Sequence, residues 1–247
     1  MSDVRFTVVG GEFCRVLEAV ALFQSTPKQF GPLAGVRCVL RYDGLTMLAV
    51  NGVSAAVGTV SVASVDGVGL FSFPHSQVKA LLAVFKRALP KGADQDEYML
   101  EVRVSEDSIR VEDISHLFDR DQLTIAIPSA KDVEPHEQTD EQRVMQTASA
   151  LLGIVEQSTP LDLASGVFFD PAELARIARA AKVVGVELCL RAVGRGVLAP
   201  LSDEVVAYTV ASVRQVDEHQ RPPFIDERAV RQYRQRLAEI VDEGVLA

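Results

Sequence analysis

The sequence has no tryptophan, only 11 phenylalanines and 4 tyrosines in 247 residues, and just 3 cysteines. So few aromatics leave single-stranded nucleic acid without the stacking platforms it needs. The cysteines, Cys14, Cys38 and Cys189, are odd in number and form no C-x-x-C pair. That argues against a disulfide framework and for a reducing, cytoplasmic compartment. No basic stretch followed by an apolar one opens the chain, so no signal peptide is expected. No apolar run of about 18 residues occurs, so no membrane span is expected either. Positive charge is also short. The net charge is −9 and the pI about 5.0, which argues against a simple basic nucleic-acid binder and leaves room for one basic face on an acidic body.

Catalytic signatures are absent as well. His75, His116, His136 and His219 lie at no metal-ligand spacing from one another or from a cysteine, and no G-x-S-x-G occurs. Gly194 and Gly196 do not lead into a helix and read as a hairpin turn. Gly10-Gly11 stands between a strand and a helix, but no P-loop lysine follows, which leaves only a faint phosphate-site signal. The acid pairs Glu112-Asp113 and Asp203-Glu204 fall beside strands or turns and read as solvated charge. No enzyme activity, no metal and no cofactor are expected.

Apolar residues make up 48% of the chain, enough for a sizeable core. Residues 4–9 (VRFTVV) read as a strand. Phe13, Val16, Leu17, Val20 and Phe23 follow at helical spacing, a helix of about 14 residues closing near Ser25-Thr26-Pro27. Residues 36–72 read as a meander of about four strands punctuated by Asp43-Gly44, Asn51-Gly52 and Asp66-Gly67, the dipeptides tight hairpins favour. A second helix after Pro74, with Ser76 as N-cap, carries Val78, Leu81, Leu82, Phe85 and Leu89 on one stripe. Lys79, Lys86 and Arg87 lie on the other side. YMLEVRVS, SIRVEDI and QLTIAIP then read as three strands.

The polar, acidic residues 129–142 read as a linker, and 143–157 as a further helix. Asp170-Pro171 opens another helix, closed by Gly185. VELCLRAV, GVLAPL and VVAYTVASVR follow as strands. GLFSFPHSQVKALLAVFKR and GVFFDPAELARIARAAK share one plan of strand, proline turn and amphipathic helix with basic outer positions, which implies an internal repeat. The boundaries so read are 1–128, a linker 129–142, a shortened second copy 143–216, and a helical extension 217–247.

This order of elements resembles that of the DNA sliding clamps, the bacterial DNA polymerase III β subunit and its counterparts. Three stretches carry the resemblance: LTMLAVNGVSAAV, GVFFDPAELARIARAAK and VLAPLSDEVVAYTVASVRQ, the last similar to the closing hairpin of bacterial clamps. Asn51-Gly52 stands where the family has Asp-Gly, and Ala211-Ser212 where it has Met-Pro. The resemblance implies an α+β fold with helices on one face of antiparallel sheets. It implies a processivity factor that encircles duplex DNA through non-specific backbone contacts, tethers a DNA polymerase or other clamp-binding proteins, and forms a homo-oligomeric ring, a trimer if each chain carries two full domains. Arg15, Lys79, Lys86, Arg87, Arg176, Arg179 and Lys182 would then face the phosphates. Ala211 and Val213 match the lining of the pocket that receives partner peptides, both smaller than the family's methionines. Two rival readings stand beside this one: a clamp-fold interaction module that does not encircle DNA, and an enzyme whose site the sequence hides.

Overall fold

The computed structural model describes residues 3–25, 34–88, 98–115, 121–126, 150–151, 153–160, 170–193 and 196–210. The chain divides into a unit Met1–Ala211 and a second, Ser212–Ala247; the second, with the expected helical extension, lies outside the described residues. So do the linker 129–142, the strand expected at 166–169 and Leu89 of the second helix's stripe.

Among the described residues, two antiparallel sheets carry the unit. The smaller is formed by β1 (Val4–Val9), β5 (Val62–Asp66), β7 (Met99–Val104), β8 (Ser108–Asp113) and β9 (Gln122–Ala126), in the order β5-β1-β7-β8-β9. The larger has eight strands. β2 (Gly35–Arg41), β3 (Gly44–Val50), β4 (Ser54–Val60) and β6 (Gly69–Pro74) come from the first half; β10 (Thr159–Pro160), β11 (Arg191–Val193), β12 (Gly196–Pro200) and β13 (Val205–Val210) come from the second. Its order is β10-β11-β12-β13-β4-β3-β2-β6, so the two halves join where β13 pairs with β4, Ala207 opposite Ala56.

Among the described residues, three helices of 12 to 14 residues pack against these sheets: α1 (Gly10–Ala21), α2 (His75–Ala88) and α3 (Pro171–Val184), with α1 in contact with both others. Each buries the apolar stripe its spacing demands: Phe13, Val16, Leu17 and Val20 on α1, Val78, Leu81 and Phe85 on α2, Ile177, Ala180 and Ala181 on α3. Asp170 caps α3 as expected, its side chain accepting the Ala172 N–H at 2.8 Å ahead of Pro171. α2 begins one residue before the expected cap: Ser76 lies inside its first turn, and His75 donates its N–H to the Ala34 carbonyl at 3.0 Å.

Gly58 sets how closely α1 approaches the large sheet. A Cβ there would lie 2.8 Å from Val20 Cγ2 and nearer still to Val16 Cγ1. A row of rings ties the layers together. Phe6 of β1 meets Phe71 of β6 at 5.9 Å between centroids, Phe71 meets Phe73 edge-on at 5.5 Å, and Phe73 meets Phe13 of α1 at 6.1 Å.

Three expectations for residues 36–72 are corrected. The run AAVGTVSVAS is two strands rather than one. It breaks at Ser61, whose N–H reaches Glu12 Oε1 at 3.1 Å, and the chain crosses there from the large sheet to the small one. Asp66-Gly67 therefore links two sheets and is no hairpin. In addition, Arg41 pairs with Gly44, which places Tyr42 and Asp43 in the β2–β3 turn and moves Gly44 onto the strand. VELCLRAV is also shorter as a strand than it reads, since only Arg191–Val193 pair.

On the outer face of the small sheet, Glu101 is only 4% exposed, between Arg5 and Arg103. Arg5 Nε donates to it at 2.6 Å and Arg103 Nε at 2.5 Å. Burial alone would raise this carboxyl's pKa, but the two guanidiniums outweigh it and hold the pKa below the usual glutamate value. A depressed folded pKa means that the unfolded chain binds the proton more readily. The stability Glu101 contributes is thus present above about pH 4.3 and lost as pH falls through the folded value. Glu101→Gln is expected to cost about 1–2 kcal/mol at neutral pH and to flatten the acid limb of a urea-unfolding series. An acid limb unchanged by the substitution would refute this account.

Candidate nucleic-acid interface and outer groove

The helix layer concentrates the cations. α1 carries Arg15 with Glu12 and Glu18, α2 carries Lys79, Lys86 and Arg87, and α3 carries Arg176, Arg179 and Lys182 with Glu173. That is seven cations against three carboxylates, an excess of four on helices belonging to a chain of net charge −9. On α3 the cations recur every third residue: Arg179 and Lys182 lie on the side away from buried Ile177, Ala180 and Ala181, while Arg176 flanks the buried stripe and is itself part-buried.

The structure sorts the seven into two groups. Lys79, Arg87, Arg179 and Lys182 are exposed and have no carboxylate partner among the described residues. The other three are paired. Lys86 Nζ bonds Glu18 Oε2 at 2.5 Å, from α2 across to α1. Arg15 lies 3.8 Å from Glu204, in the turn between β12 and β13. Arg176 Nη1 grips both oxygens of buried Glu173 at 2.5 Å and reaches Ser54 Oγ of β4 at 3.2 Å. Arg176 therefore ties α3 to the first half's sheet, and its guanidinium is spent on that bond. The spacing alone gave no sign of this, because Ser54 is 122 residues away.

Arg15 and Lys86 are brought together. With Glu12, Glu18, Glu204 and Val183 they line a groove of 440 Å³ to which all three helices contribute. Cys14 lines it too, and burial, followed by the nearby Glu18, pushes its thiol up to about 12, so it stays protonated.

A second and larger groove, 1220 Å³, lies on the opposite face of the large sheet. Val39, Leu48, Val57, Leu70 and Val206 floor it, and Leu151 and Val155, from a short helical stretch within 150–156, stand at its side. Leu48, Ala55 and Leu151 form a small core of their own there. The signal for this face was present in the sequence. Leu48-Ala49-Val50 and Ala55-Ala56-Val57 are unbroken apolar runs, and a strand with one solvated face would alternate. Ala211 and Val213, expected to line a partner pocket, lie outside the described residues.

The remaining sequence signals resolve structurally. Gly10 is packed under the Tyr98 ring, which a Cβ would strike, and donates its N–H to the Tyr98 carbonyl at 2.7 Å. Gly10 thus serves packing. Asp113 accepts the Ser115 N–H at 2.8 Å, while Glu112 pairs with Arg110 at 3.1 Å. β11 and β12 pair antiparallel, but Gly196, expected in the turn, lies on β12 opposite Val193, and Gly194 lies outside the described residues. Among the described residues no group of three or more His, Cys, Asp or Glu is placed to hold a metal ion, and no helix is long and apolar enough to cross a membrane. His116, His136 and His219 lie outside the described residues.

No protein-family model matches the chain, and no curated protein matches it. Solved structures do. The DNA polymerase III β subunit of Thermotoga maritima superposes with a TM-score of 0.57 at 13% identity, over 90% of this chain and 68% of that one. The DnaN sliding clamp of Pseudomonas aeruginosa, in a structure bound to griselimycin, gives 0.54 at 13% identity, over 89% and 68%. A putative DNA polymerase III β subunit of Eubacterium rectale gives 0.54 at 7% identity, over 83% and 64%. At such identities the likeness establishes the fold, which is that of the sliding clamps, α+β with helices against antiparallel sheets.

Proposed function

We propose that this chain is a sliding-clamp-like protein whose helix layer faces duplex DNA and whose outer groove receives a segment of a DNA polymerase or other partner. The observation that carries the reading is the excess of four cations on three adjoining helices of an acidic chain with this fold. A protein that must slide needs phosphate contacts without base contacts, because phosphates hold the duplex and carry no sequence. Solvated lysines and arginines on the outer sides of helices meet that need. The two-part reading, 1–128 and 143–216 about the linker 129–142, supports a ring assembled from several copies, three if each chain supplies two domains.

The apolar floor of the outer groove, flanked by exposed Val68 and Val155, suits an extended apolar partner segment. The rival reading, a clamp-fold interaction module that leaves DNA alone, draws on the pairing of Arg15, Lys86 and Arg176 with carboxylates.

Light scattering together with a tethered duplex separates the two. A closed oligomer is expected that threads onto a bead-tethered linear duplex through its free end, is trapped when that end is blocked after loading, and fails to load when it is blocked before. A strict monomer that is never retained would overturn the ring and leave the interaction module.

A further inference from the structure

The groove shared by the three helices holds an arrangement that the sequence did not show. Along the outward side of α1, charges alternate at three-residue spacing as Glu12, Arg15 and Glu18, and each is already engaged: Glu12 by the Ser61 N–H, Arg15 by Glu204, Glu18 by Lys86. Glu204 is itself held in place. Its carboxylate accepts the Ser202 hydroxyl at 3.0 Å, and its backbone carbonyl accepts the Thr59 N–H at 2.7 Å, which anchors its turn to β4. Glu18 comes from the last turn of a helix whose other face is buried. A carboxylate anchored in its turn and one carried on a packed helix thus meet two part-exposed cations on the surface that carries the helix layer's positive charge.

We infer that Glu18 and Glu204 compete with duplex phosphates for Lys86 and Arg15, and so weaken the grip of the helix layer on DNA. This rests on the duplex-facing reading above and concerns how tightly that face holds. An exposed ion pair is weak and exchangeable, so a phosphate can displace the carboxylate, but only by giving the cation one anion in place of another. Little is gained per contact, and few counterions are released on binding, because these cations already carry their counter-charge within the chain. The remaining contacts come from Lys79, Arg87, Arg179 and Lys182. A face that is positive overall and partly self-neutralised holds a duplex without fixing it.

The test is duplex binding as a function of salt for the full-length chain, with Glu18→Gln, Glu204→Gln and both together. Glutamine keeps the shape and the hydrogen-bonding oxygen and removes the charge. Each substitution is expected to tighten binding at fixed moderate salt about three- to tenfold, and to steepen the log K against log salt slope by up to about 0.9 per freed cation. Lys86→Ala placed in the Glu18→Gln background is expected to cancel that gain. Glu106→Gln, an exposed carboxylate in the turn between β7 and β8, changes net charge equally and is expected to leave affinity within twofold. If the wild type binds duplex and the Glu18 and Glu204 variants bind no tighter than Glu106→Gln, the competition is refuted while the DNA reading stands. If no form of the chain binds duplex at any salt, the DNA reading falls and this inference with it.

Discussion

Replacing Lys79, Arg87, Arg179 and Lys182 together by alanine is expected to flatten the salt dependence of duplex binding by about 3.6 in log K per log salt, and to weaken binding near 0.1 M salt by roughly a thousandfold. The four side chains are exposed and hold no carboxylate among the described residues. Their loss should therefore leave the fold intact, with stability changed by no more than about 0.5 kcal/mol each. Arg176 is excluded because it binds Glu173 and Ser54, and removing it would strand a buried carboxylate. Arg15 and Lys86 are excluded because their charge is already shared with Glu204 and Glu18. Affinity measured by anisotropy across a salt series is the readout. A quadruple variant that keeps the wild-type slope would show that these helices do not meet phosphates.

Phe73→Ala is expected to destabilise the unit by about 3–5 kcal/mol, and Phe73→Leu by much less. Phe73 is fully buried at the middle of the row of rings. It touches Phe71 on its own strand and Phe13 on α1, and through Phe71 the row continues to Phe6 of the small sheet. Truncation would leave a cavity where α1 and both sheets converge, and a close-packed interior fills such a gap only partly. Chemical denaturation with an unchanged m-value and a lower midpoint would confirm a pure loss of stability. The same experiment bears on the site, since α1 carries Arg15 and Glu18 and touches both other helices. A variant that unfolds at the wild-type midpoint would mean that the row of rings does not couple these layers.

The helices were legible because helix formation and helix amphipathicity are local. The spacing of Phe13, Val16, Leu17 and Val20 marks a buried stripe wherever the helix docks, and Asp170-Pro171 satisfies a helix start from its own side chain. The strand content was legible for the same reason. What failed was partnership. Ser61 looks like one more residue of a β run, yet the chain changes sheets there. Gly44 looks like a turn residue, yet register with Arg41 puts it on a strand. The outer groove was half legible, in the apolar runs at 48–50 and 55–57 that no one-sided strand would carry.

By itself, then, the sequence determined the apolar stripes and outer cations of the helices that begin near Gly10, Pro74 and Asp170, set among strands in an acidic body. Tertiary structure alone decided which of those cations are free. Lys86 meets Glu18 across 68 residues and Arg176 meets Ser54 across 122, while Arg15 meets Glu204 only because β13 pairs with β4. Periodicity tells a side chain which way to face. Which group waits for it there depends on how distant segments come into register, and that is a property of the packed chain.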